Sequence, residues 1–182
     1  MIFKKIALPV LLAVASVSVA LLETTPAVAA TSQSDNAEQR INFSGKLRML
    51  SQRIPSAACH FSRGIDVEGA SALLVGATAE FEKILTGLEF GDADLNIQNA
   101  ETNRQTLALI AELRAKWEPI KAAAEAVAGG NATQEDRDHI LNNNIAVLGA
   151  AQLLVERLVQ QYSNPNATTF ASLVLIDISG RQ

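Results

Sequence analysis

The chain has 182 residues, with 15 Lys or Arg against 19 Asp or Glu and a formal net charge of -4. That balance argues against a nucleic-acid-binding surface, which draws its affinity from clustered cations. Aromatic residues supply only 4% of the chain, and no run alternates polar and apolar residues between turn signals. Packed helices are therefore expected rather than a sandwich or barrel.

Residues 1–30 read as a secretory signal peptide. Lys4 and Lys5 form a positive start, Ile6 to Leu22 an apolar run, and Ala27-Val28-Ala29 an A-x-A cleavage site. The alternative is an uncleaved segment that anchors the chain to the inner membrane, although a run of roughly 17 residues is short for a span. Export to the periplasm is expected either way. Residues 31–165 then form one domain, long enough for a real core. Thr31 to Asn36 reads as a polar leader, and the first helix is expected to begin near Asp35 to Ala37.

The first helix carries a basic island. From Gln39 to Ile65 there is no Asp or Glu, yet Arg40, Lys46, Arg48, Arg53 and Arg63 fall there. A local positive field in an acidic protein attracts anions. Phe43, Leu47, Leu50, Ile54, Ala57 or Ala58, and Phe61 recur at steps of three and four and define a core stripe. Ile41, Gly45, Arg48 and Gln52 form a second stripe, roughly 160–200° away at ~100° per residue. Gly45 removes a side chain one turn before Arg48, at a cost of about 1 kcal/mol against Ala. Close approach of a backbone or ligand would explain it, as would a helix start with Arg48 in water. Pro55 removes a helix hydrogen bond and is expected to kink or break the helix.

Ser44-Gly45-Lys46-Leu47-Arg48-Met49-Leu50-Ser51-Gln52-Arg53 resembles the signature of the NarX-like sensor domain. That domain is also described as the PilJ-type N-terminal domain of type IV pilus methyl-accepting chemotaxis transducers. The pattern is a small residue, Gly, two variable residues, Arg-Met, a variable residue, Ser, a variable residue and Arg, and every fixed position is present. The likeness extends over about Ala37 to Tyr162. It implies a periplasmic all-α, antiparallel four-helix bundle that dimerises through its first helix. It also implies a small oxyanion, nitrate or nitrite, gripped at the dimer axis by Arg48 of both subunits, with Gly45, Ser44 and Arg53 shaping the site. Two guanidinium forks facing each other repel unless an anion lies between them.

A second helix is expected over about Val67 to Leu88, with Leu73 or Leu74, Ala77, Phe81, Ile84 and Leu88 inward. Gly91-Asp92 marks a turn, with Leu95 and Ile97 pinning the loop. A third helix runs from about Ala100 to Val127, placing Leu107, Ile110, Leu113, Trp117, Ile120 and Ala124 on one face, with the Trp117 ring nitrogen near solvent. Pro119 is a candidate bend, and Gly129-Gly130 ends the helix. Thr133 is a good N-cap for the fourth helix, with Asp136 at its third position. Ile140 or Leu141, Ile145, Leu148, Leu154 or Val155, and Leu158 are its expected core residues, and Ser163-Asn164-Pro165-Asn166 closes it.

Residues 166–182 hold the start of an incomplete second repeat. Ile176-Asp177-Ile178-Ser179-Gly180-Arg181-Gln182 aligns with Ile41-Asn42-Phe43-Ser44-Gly45-Lys46-Leu47 and stops before a counterpart of Arg48. The tail reads either as a truncated frame or as a helix kept for packing. Cys59 is the only cysteine and reads as a buried thiol, an intermolecular bridge or a reactive thiol. Cys59-His60 matches half of a haem-attachment motif, with Ser56 where its first cysteine belongs, and with His139 it lacks metal-ligand spacing. No cofactor, no metal and no catalytic constellation is expected. Two function classes follow. One is an exported sensor-type domain that binds a small inorganic anion in a signalling or chemotaxis role. The other is a periplasmic helical scaffold that partners a membrane-bound transducer without a ligand of its own.

Overall fold

The structure, a computed structural model, describes residues 26–163, with side chains from residue 36 onward. Four helices occur in order: α1 Pro26–Ser62, α2 Val67–Phe90, α3 Arg104–Ala128 and α4 Gln134–Tyr162. Each packs on its chain neighbours, and α1 closes the ring against α4. Short connections between long helices impose the antiparallel four-helix bundle. The leader read at residues 1–30 lies outside the described residues as far as residue 25, and the repeat read at 166–182 lies wholly outside them.

The helix ends follow from their capping residues. Asp66, at φ 43°, accepts from the Gly69 amide and starts α2. Asn103 accepts from the Gln105 and Thr106 amides, so α3 starts at Arg104 rather than near Ala100. Thr133 and Asp136 form a reciprocal capping box on α4. Gly129 caps α3, and Gly130 turns the chain at φ 74°. Between α2 and α3, Asp92 and Ile97 pair through their backbones, and Ile97 is buried as a pin.

The core contains Leu47, Leu50 and Ile54 of α1, Leu74, Phe81, Ile84 and Leu88 of α2, Ile110, Leu113, Trp117 and Ile120 of α3, and Ile140, Val147, Leu154 and Leu158 of α4. Trp117 is fully buried and stacks on Phe81, with ring centroids 4.0 Å apart.

Four expectations are corrected. Ile145 is not a core residue but is 64% exposed. The buried stripe of α4 runs through Ile140, Val147, Ala150, Ala151, Leu154 and Leu158, and the turn between Ile140 and Val147 is filled by Asn143 and Asn144, half-buried polar residues that apolar counting passes over. Pro55 does not break α1, which continues to Ser62. The polar leader is helical, since α1 already begins at Pro26. Finally, the stripe of Ile41, Gly45 and Arg48 is buried rather than facing away from the bundle. Helix α1 is flanked by α2 on one side and α4 on the other, so more than one narrow stripe of it is covered.

Candidate functional site

Arg48 lies on the α4 side of α1. It is only 5% exposed, and its Nη1 donates to Oε1 of Gln152 on α4 at 2.5 Å. The Gln152 amide nitrogen in turn donates to Glu156 at 2.8 Å. The guanidinium folds back over Gly45, where a Cβ would meet Nη2 at 3.6 Å, an ordinary contact. Gly45 is buried, and it is not demanded by a clash with Arg48. Ser44 is fully buried and donates to the Ile41 carbonyl, and Ser51 donates likewise to the Arg48 carbonyl. Both hydroxyls brace the backbone of the motif.

Arg53 is not beside Arg48. It is exposed and lines a groove of about 450 Å³ against α2, with Ala72, Leu73, Gly76, Glu80 and Lys83. Five residues along a helix rotate a side chain by roughly 140°, enough to send Arg48 to α4 and Arg53 to α2. Lys46, also of the basic island, pairs with Glu80 of α2. Cys59 is half-buried at the far end of the α1–α4 seam, in a pocket with Ala58, Ser62, Arg63, Gln134, Arg137 and Leu141. The bundle thus brings together Gly45 and Arg48 of the motif, with Gln152 of α4 as a hydrogen-bond partner of Arg48.

Two ionic clusters escaped the sequence reading. The first is Arg40, 2% exposed. Its guanidinium donates to the Leu88 carbonyl at 2.8 Å, the Asn99 carbonyl at 2.7 Å, the Gln98 carbonyl at 3.4 Å and Glu101 Oε2 at 3.4 Å. Glu101 Oε1 accepts from the Thr102 and Asn103 amides, both at 2.8 Å, and Gln161 reaches it from α4. One buried ion pair thus ties α1, the α2–α3 loop and the end of α4 together. Burial pushes the nearby Tyr162 phenol up, against the opposing influence of Arg40.

The second cluster surrounds Glu82, on the wall of a groove of about 600 Å³ between α2 and α3. Its carboxylate accepts from the Trp117 indole at 2.9 Å and from Arg114 at 3.0 Å, and pairs with Lys121 at 3.2 Å. Partial burial pushes its pKa up, but the hydrogen bonds from Trp117, Arg114, Lys121 and Thr86 outweigh this and bring it from 4.5 down to about 2. A carboxylate so fixed in its ionised form is unsuited to proton transfer near neutrality. It stabilises the fold at pH values above its unfolded pKa, and that contribution is lost as pH falls from about 4.5 to about 2. Glu82→Gln is expected to destabilise the protein at pH 7, with the gap from wild type shrinking through this window. Urea unfolding at pH 7, 4 and 2.5 measures it, and a gap that stays constant with pH refutes the assignment.

No described helix is long and apolar enough to cross a membrane. No curated protein and no solved structure matches the chain. Residues 29–143, which span α1 to α3 and the first part of α4, match the family model described as type IV pili methyl-accepting chemotaxis transducer N-term, PilJ. The bundle with the basic motif on α1 therefore belongs to the PilJ family, the N-terminal sensor domains of type IV pilus chemotaxis transducers.

Proposed function

We propose that this is an exported, periplasmic sensor domain that binds a small oxyanion such as nitrate or nitrite through Arg48, in a homodimer packed through α1. The observation that carries this reading is a guanidinium of the basic motif held at 5% exposure in the α1–α4 seam, donating to Gln152 and lying over Gly45. Its orientation is already fixed, so less side-chain freedom is lost when an anion arrives. A charge-assisted, two-pronged contact in a partly dry site is stronger than the same contact in water. Exposed Met49 on α1 and Leu141, Ile145 and Leu153 on α4 supply apolar area for a second protomer. A membrane-bound transducer is the partner that would read a change in how the two first helices pack.

Titration calorimetry with nitrate, nitrite, chloride and sulfate tests this. Wild type is expected to bind a planar oxyanion at one per two chains, and Arg48→Ala to weaken binding at least tenfold, about 1.4 kcal/mol. Circular dichroism confirms that the variant is folded. Silence of the wild type across the whole panel ends the reading.

A further inference from the structure

We propose that the groove between α2 and α3 binds a small organic ammonium ion, laying its apolar body along Val75, Ala79, Ala124 and Ala128 and setting its charged head on Glu125. The site shares no residue with the Arg48 site of the α1–α4 seam, so it stands apart from the oxyanion reading.

Helical spacing and short side chains explain why the gap exists. The α2 wall recurs at steps of three and four from Val75 to Thr86, and the α3 wall likewise from Lys121 to Ala128. The contact of Lys121 with Glu82 at 3.2 Å fixes the register of the two helices. Because the helices are antiparallel, one turn from that pair sets Thr78 and Ala79 across from Ala124 and Glu125, and a second turn sets Val75 across from Ala128. Alanines facing each other are too short to fill the space between two helix backbones, whereas the Phe81–Trp117 stack fills it beside Glu82. The resulting groove of about 600 Å³ has a largely apolar wall and falls within the roughly 300–1,000 Å³ of small-molecule sites.

Charge selects the ligand. The carboxylates of Glu82, Asp92 and Glu125 line the groove against the amines of Lys83 and Lys121. Both amines are already engaged, Lys83 with Asp94 at 2.8 Å and Lys121 with Glu82 at 3.2 Å. Glu82 is occupied as well, since Trp117, Arg114 and Thr86 also donate to it. Asp92 turns one oxygen to the Asp94 and Leu95 amides. Glu125 is exposed, and its carboxylate makes no hydrogen bond or ion pair among the described residues. It is the charge of the groove that still lacks a counterpart. An anionic ligand would face this carboxylate with both amines already engaged, whereas an ammonium gains a charge-assisted hydrogen bond. Thr78 is 7% exposed, and its hydroxyl has no partner. Rotation about χ1 toward the groove breaks no hydrogen bond, and there the oxygen would accept from the same ammonium. The apolar body covers Val75, 54% exposed, and removal of that area from water favours an alkyl ammonium over a bare cation.

Trp117 is the only tryptophan and donates to Glu82 on the groove wall, so its emission reports occupancy. The full chain is titrated at constant ionic strength with hexylammonium, methylammonium and hexanoate. Hexylammonium is expected to give a saturable change, with an affinity about tenfold or more above that of methylammonium, and hexanoate to give none. Glu125→Gln, at an exposed position, is expected to weaken hexylammonium binding about fivefold. Ala79→Leu, which fills the groove from an exposed position, is expected to weaken it about tenfold or more. Thr78→Val is expected to weaken it too, while the melting temperature stays level or rises, because the hydroxyl it removes has no partner. Circular dichroism confirms that each variant is folded. No saturable change with hexylammonium, an equal affinity for hexanoate, or binding that survives both Glu125→Gln and Ala79→Leu overturns the proposal. Should Ala79→Leu not fold, Glu125→Gln decides alone, and unchanged affinity in Thr78→Val overturns the hydroxyl contact.

Discussion

Arg40→Met is expected to cost about 3–5 kcal/mol of stability, the range for removing one partner of a buried ion pair. For a domain of this length that is a fall in melting temperature on the order of 10 °C. The reason lies less in the Coulomb attraction than in what is left behind. Without the guanidinium, the carbonyls of Leu88 and Asn99 lose their donor, and Glu101 keeps its charge in a site where it is 8% exposed. Glu101 still accepts from the Thr102 and Asn103 amides, which soften the penalty without replacing the cation. Arg40→Met combined with Glu101→Gln is therefore expected to recover part of the loss, because the second change removes the stranded charge. Thermal and urea unfolding of the two single variants and the double variant measures this. A double variant as unstable as the sum of its parts would show that the two side chains act independently.

The same residue shows what could be read from the sequence and what could not. Helix number, the stripe of Leu47, Leu50 and Ile54, the Thr133 cap and the Gly129-Gly130 stop were all legible, because each depends on local spacing or local hydrogen bonding. Arg40 occupies the slot seven residues before Leu47 and fourteen before Ile54. A charge in a core slot was thus a signal in plain view, but its partner Glu101 lies in the α2–α3 connection, and only tertiary structure joins them. Ile145 failed in the opposite direction. It is apolar, yet the neighbours of α4 cover a stripe that passes through Asn143 and Asn144 instead.

The motif behaves similarly. The Gly45–Arg48 spacing gave their proximity, since both lie on one helix. Whether Arg48 faced outward or toward α4 depended on how much of α1 its neighbours cover, which periodicity does not encode. Arg53, five residues on, was grouped with Arg48 by the motif and separated from it by the 3.6-residue repeat. Seen in three dimensions, the basic island is three separate features. Arg40 locks one end of the bundle, Lys46 and Arg53 decorate the α1–α2 side, and Arg48 enters the α1–α4 seam, with Arg63 lining a pocket at the far end of that seam.

Trp117→Ala is expected to cost about 3–5 kcal/mol, as for other large-to-small core truncations of aromatic residues. Three losses coincide at this position. The fully buried ring leaves a cavity between α2 and α3, the stack on Phe81 at 4.0 Å disappears, and Glu82 loses its indole donor at 2.9 Å. Trp117→Phe separates them, because it keeps an aromatic ring against Phe81 and removes only the N–H and part of the volume. Its cost is expected to be about 1.5–3 kcal/mol, the scale of a lost hydrogen bond to a charged acceptor. The indole is one of the donors that hold the Glu82 pKa at about 2, so Trp117→Phe should also raise that pKa. The acid-sensitive window then closes at a higher pH, and the variant loses the Glu82 contribution earlier on acidification than wild type does. Urea unfolding of Trp117→Phe and Trp117→Ala at pH 7 and pH 3 checks both parts. If Trp117→Phe matches wild type at both pH values, the indole–Glu82 bond contributes nothing, and the packing of the α2–α3 pair rests on ring burial alone.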